Sequence, residues 1–423
     1  MVHPYAFLFN VQRRFAARSR GSNAVMLTVM GCSSSVTVEE SSTPHPPTPV
    51  GRNAQGHSTL EPSHPAETMA QAYRRLDEEI CALESTTPGP RLMTAEAWVD
   101  LLQSARKPTD TSGLNRKQPV GAQANGIIPN GVPIAGVKRP ETSQSEGTRK
   151  EMVKVREIVL KLDILSDQFK AAQQEEFVAR LSRTAMEQEA EHFRDEMIAH
   201  ARKRPITLRT AFERLKRLYH EQDLVLAQVY NGAYGSPTEQ KLDAELDSAR
   251  DVRDRLGGAV EQWRIAGGLL RAAAKGLHEV VDCWELIRPS KDAEETITLA
   301  LDARSTCHGA LIALEAAQAA LPSVEIPYIT IRQQSAVRHA LIYLLTDMVH
   351  PARYQHTRDV FGVFCTNVSK AVHWLHECYN ETLKQDYSNA DQAATLLAKT
   401  LREERLRYVM NKLPNKIYVR PAI

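Results

Sequence analysis

The residues with the clearest chemistry in this chain are Met30-Gly31-Cys32-Ser33-Ser34-Ser35. Read from Met30, they form an acylation signal. Removing the methionine exposes the amino group of Gly31 for a myristoyl chain, and Ser35 stands where the signal requires a hydroxyl residue. Cys32 offers a thiol for a palmitoyl chain beside it. One myristoyl chain holds a membrane weakly and reversibly, so a second acyl group turns contact into anchoring. The signal operates only when translation starts at Met30. The competing reading starts at Met1. Residues 1–29 contain no acid, and Arg13, Arg14, Arg18 and Arg20 are interleaved with Phe7, Phe9, Val11 and Phe15. That is the composition of a mitochondrial presequence.

Three other groupings carry candidate chemistry. His278-Glu279-Val280-Val281-Asp282 begins like a zinc-protease helix, but Asp282 stands where the second histidine is needed. His373 and His376 are spaced to share one helix face. A zinc site there needs two more ligands, for which Cys307-His308 is a source. Arg353, His356 and Arg358 surround the helix break at His350-Pro351, with Arg332 and Arg338 a little upstream. This concentration suits an anion or phosphoinositide headgroup, and equally a solvated basic corner. The chain carries no phosphate-cradling glycine loop or nucleophile elbow, so no cofactor is implied.

These groups need elements to position them, and the pattern calls for helices. Apolar residues recur at three-four spacing over most of the chain, strand signals are almost absent, and no repeat of solenoid length is seen. The predicted fold is all-α, an irregular multi-helix bundle with a long N-terminal amphipathic helix, preceded by a mostly disordered N-terminal third. Residues 1–29 form a leader or an extension upstream of the true start, with a transit peptide as the alternative. Residues 30–65 combine the acylation signal with a Ser/Thr/Pro tether that cannot bury enough apolar surface to fold. Two short amphipathic helices occupy 66–106, and 107–147 is a second linker. The bundle spans 148–413, followed by a tail over 414–423.

Within the bundle, no Gly or Pro interrupts 149–203, which predicts one helix of about 55 residues, roughly 80 Å long at 1.5 Å per residue. Thr148 with Glu151 reads as its capping box. Its apolar seam, through Phe169 and Phe177, invites self-association as a coiled coil. Pro205 is expected to break the pattern. Ser290 is expected to cap an Ala-rich helix central to the bundle, and Asn389 to cap the last one. Gly257-Gly258 and Gly267-Gly268 lie inside a helix, where they allow close contact or a kink.

Composition limits the function. A net charge of +2 over 423 residues gives no reason to expect nucleic acid as a partner. Six cysteines without a CxxC pair suit reduced thiols. No apolar run reaches the roughly 20 residues of a membrane span. The expectation is a non-enzymatic scaffold or adaptor at the cytoplasmic face of a membrane, held by acyl chains on Gly31 and Cys32. Its protein partners would dock on the helical domain. The alternatives are an all-helical mitochondrial matrix protein with a cleaved presequence, and a helical module binding a lipid or other apolar ligand.

Overall fold

Helical periodicity becomes ten helices in the computed structural model, which describes residues 67–105, 146–230, 235–287, 292–413 and 416–418. The acylation signal, the Ser/Thr/Pro tether and most of the second linker lie outside the described residues. The helices are α1 Met69–Glu84, α2 Pro88–Ser104, α3 Glu146–Leu162, α4 Gln168–Ala201, α5 Lys203–Tyr230, α6 Pro237–Ile287, α7 Ala293–Ala320, α8 Ile331–Asp347, α9 Pro351–Cys378 and α10 Lys384–Lys412. The chain is all-α, an irregular bundle, with no strand among the described residues. Residues Met69–Lys416 make one compact unit. In a second unit, Thr68 and Ile417 form an isolated antiparallel bridge, and Tyr418 N donates to Glu67 O at 2.8 Å.

The 51-residue α6 is the common wall against which α2, α7, α9 and α10 pack. At 1.5 Å per residue it is about 76 Å long. Its glycines admit neighbours. A Cβ on Gly257 would stand 2.3 Å from Thr87 Oγ1, inside any permitted contact. Thr87 is buried in a left-handed turn at φ 45°, and that turn joins α1 to α2. Further along, Gly276 lies against Thr306 and Ala310 of α7. Gly268, in contrast, faces open space.

Helix α7 is central, as its alanines predict. Fifteen of its residues are buried, Ala300, Ala303, Ala310 and Ala317 among them. Its cap is Asp292, whose carboxylate accepts from Glu294 N at 3.1 Å, two residues beyond the expected Ser290. At the far end of α6, Trp284 Nε1 donates to Tyr354 O at 3.2 Å while Tyr354 Oη donates to Trp284 O at 2.7 Å. Their rings stack at 5.1 Å. This reciprocal pairing satisfies both polar tips inside an apolar contact, and it fixes α9 onto α6.

The helix expected over 149–203 is divided. Asp163 adopts φ 48°, a left-handed residue that stops α3, and its carboxylate holds Lys170 at 2.7 Å and Ser166 at 2.7 Å. Asp167 then caps α4, accepting from Phe169 N at 3.1 Å. Aspartates replaced the Gly or Pro that would have advertised the break. The interruption rotates α4, so its inward face is Ala171, Val178, Ala179, Ser182, Ala185 and Glu189, while Phe169 is 68% exposed. The expected seam therefore does not face inward as one stripe. Three other expected boundaries move. Helix α3 begins at Glu146, ahead of the predicted cap at Thr148. Pro205 sits in the first turn of α5, where its missing N–H costs nothing. No cap forms at Asn389, because α9 passes through a π-turn, Tyr379–Leu383, directly into α10. The short helices α1 and α2 dock on the bundle, through α5 and α10 and through α5 and α6 respectively.

The small inward face of α4 brings a carboxylate into the core. Arg304 Nη2 of α7 donates to Glu189 Oε1 at 2.7 Å, both side chains fully buried, and His308 Nδ1 stands 3.8 Å from Glu189 Oε2. Burial alone would raise the Glu189 pKa; the facing His308 ring and the Arg304 guanidinium outweigh it and hold the carboxyl below its ordinary value. Glu261 behaves alike: burial is outweighed by Arg264 and Arg204, at 2.6 and 3.1 Å. Since the unfolded chain binds protons more readily at both positions, stability should be complete above the ordinary carboxylate range and fall as pH drops through the folded values.

Glu189→Gln should cost about 3–5 kcal/mol by leaving a buried guanidinium uncompensated. It should also flatten the acid limb of a urea-denaturation series. Replacing both partners, Glu189→Leu with Arg304→Met, should cost less than either single change. Gly257→Val should destabilise by about 1–3 kcal/mol through the Thr87 clash. Gly268→Ala should add up to about 1 kcal/mol in the same measurement.

Candidate functional site

The residues singled out from sequence are spread across the fold. Gly31 and Cys32 lie outside the described residues. Of the basic group, Arg338 pairs with Glu315 on α7. Arg353 pairs with Glu175 on α4 at 2.7 Å, and Arg358 with Glu285 on α6 at 2.6 Å. Arg332 and His356 are exposed. Cations adjacent in sequence thus serve three different partner helices, and each guanidinium acts as a cross-helix tie. His373 Nε2 pairs with Glu377, one turn along the same helix, at 3.1 Å. Cys307 is wholly buried, which pushes its thiol pKa up, and its neighbour His308 faces Glu189. Among the described residues, no group of three or more His, Cys, Asp or Glu side chains is arranged to hold a metal ion. The five described cysteines are free thiols.

Sequence reasoning missed the densest polar assembly, which lies where α1, α5, α6 and α10 meet. Helix α10 supplies Arg402 and Arg405 one turn apart. Arg402 bonds Asp77 of α1, whose other oxygen accepts from Gln222 of α5 at 3.0 Å. Arg405 bonds Glu239 at 2.7 Å and Asp243 at 3.3 Å, both on α6. Tyr230 Oη donates to Glu239 at 2.8 Å, and its ring stacks on Tyr408 at 5.1 Å. Burial, reinforced by Glu239, pushes the Tyr230 phenol pKa well up; burial does the same to Tyr73. One step along α6, Arg250 and Arg253 both reach Glu84, at 2.8 and 3.4 Å.

Asp77, Gln222, Tyr230, Glu239, Arg250 and Arg405 from this assembly line a cleft of about 440 Å³. Its rim is acidic, with Asp223, Asp243 and Asp247 beside Tyr219 and Tyr230. Tyr230 donates to Glu239, and the carboxylates Asp77, Glu239 and Asp243 are held by arginines. The chemistry on offer is recognition of a cationic or hydrogen-bonding surface. The clue in sequence was Arg402 and Arg405 at one-turn spacing on the last helix, but their carboxylate partners lie more than 160 positions upstream and leave no local signal.

A smaller cleft of 260 Å³ lies between α6 and the junction of α9 with the π-turn. It contains His376, one of the predicted histidines, in a setting unrelated to metal. Asn380 Nδ2 donates to His376 O at 3.1 Å and to His376 Nε2 at 2.9 Å.

Comparison with known proteins adds no relationship: no family model, curated protein or solved structure matches the chain.

Arg405→Met should cost about 3–5 kcal/mol, because Glu239 and Asp243 lose their shared counter-ion in a largely buried place. Tyr230→Phe should cost about 1.5–3 kcal/mol, the loss of one hydrogen bond to a charged acceptor. Thermal unfolding of both variants checks the order.

Proposed function

We propose that this chain is a non-enzymatic, membrane-tethered scaffold or adaptor whose helical unit offers surface clefts to protein partners. The observation that carries the reading is Gly31-Cys32 following Met30, two acylation chemistries side by side. The architecture of the unit is consistent with it. Buried and cross-helix charges, including Glu189–Arg304, Glu84–Arg253 and Glu239–Arg405, tie helices to one another, giving a braced body with an acidic cleft on its surface. No helix among the described residues is long and apolar enough to cross a membrane, so attachment in this reading rests on the acyl chains.

The test is membrane fractionation of a Met30-start form against Gly31→Ala and Cys32→Ser. Gly31→Ala should release the protein into the soluble fraction, and Cys32→Ser should weaken retention in part. Unchanged partitioning of Gly31→Ala overturns the tether. The mature N-terminal peptide, read by mass spectrometry, separates an acylated Gly31 from a presequence cut.

A further inference from the structure

The 260 Å³ cleft between α6 and α9 differs in chemistry from the acidic one. Its lining includes two guanidinium groups, Arg264 and Arg271, and no carboxylate. Arg264 is committed to Glu261 at 2.6 Å. Arg271 has no ion-pair partner among the described residues, in a protein where most arginines of the bundle interior are paired. The walls behind it are apolar: Trp263, with Trp374 at 6.3 Å between ring centroids, and Leu375.

Two backbone features open this space. Gly267 forms part of the floor, and a Cβ there would approach Leu375 Cδ2 to 3.4 Å and Arg271 Nη1 to 3.2 Å. A glycine inside a helix costs about 1 kcal/mol against alanine, so the opening is kept at an energetic cost. Opposite it, the π-turn Tyr379–Leu383 places Tyr379 and Asn380 on the cleft. Single π-turns within α-helices recur at functional sites.

The Asn380 amide also lines the cleft. Because Asn380 Nδ2 lies against the His376 carbonyl, that end of the amide is the donor. His376 Nε2 lies 2.9 Å from the same nitrogen. The cleft is thus bordered by cationic and N–H donor groups with an aromatic wall. At 260 Å³ it lies just below the roughly 300–1,000 Å³ of typical ligand pockets, which suits a small occupant.

We propose that this cleft binds a small organic carboxylate with an apolar, ring-sized body. The carboxylate meets the forked donors of Arg271, and the ring lies against Trp263 and Leu375. Phenylacetate is the probe, with phenylacetamide as its neutral counterpart, followed by titration calorimetry and ligand-observed NMR on the full chain. Phenylacetate should bind at one site with saturation in the low-millimolar range or tighter. Arg271→Ala, at an exposed position that leaves the core untouched, should weaken it about tenfold, as should the switch to phenylacetamide; about tenfold corresponds to roughly 1.4 kcal/mol. Gly267→Val should abolish binding by filling the floor. Absence of saturable binding to the wild-type chain overturns the proposal. So does equal affinity for acid and amide, or retention of binding by Arg271→Ala.

Discussion

A fully buried carboxylate facing a fully buried guanidinium sets the geometry of the bundle. Glu189 and Arg304 are both withdrawn from water, and each ion alone in that place would cost several kcal/mol. The cost is offset only when α4 and α7 lie at one rotation and one height. The inward face of α4 is rich in alanines, which tolerate sliding and rolling. The charge pair does not tolerate them. It converts a permissive small-residue contact into a single register, and the rotation it selects leaves Phe169 outside.

The same logic is repeated with less burial elsewhere. Arg253 and Arg250 hold Glu84, Arg405 holds Glu239 and Asp243, and Arg402 holds Asp77. In each case the arginine belongs to α6 or α10 and at least one carboxylate to another helix. The first helix, too short to be stable in isolation, gains through Glu84 and Asp77 fixed points on the bundle. More exposed ties such as Arg358–Glu285 are screened by solvent and serve alignment more than stability.

How legible this was in the sequence depended on range. Helix class and the centrality of the Ala-rich helix followed from local spacing. The break at 163–167 was hidden because aspartates performed both stop and cap, and a polar pair within a charged helix looks like ordinary solvent face. Asn389 looked like a cap because the π-turn that carries α9 into α10 has no residue signature. The acidic cleft was invisible for a different reason. Asp77, Glu239 and Arg405 come from three distant segments, and only tertiary packing brings them together. His376 was singled out for its spacing to His373, yet its partner is Asn380, one turn further along the same helix.

Helix α6 has a metrical consequence. Glu239, near its start, borders the acidic cleft, and Arg271 borders the cationic one. The two positions lie on one unbroken helix, so their separation along its axis is about 48 Å at 1.5 Å per residue. A body holding two occupants on this helix keeps them at a set spacing, as marks on a ruler. Substituting side chains at either cleft would change what is held there, and only inserting or deleting turns of α6 would change how far apart.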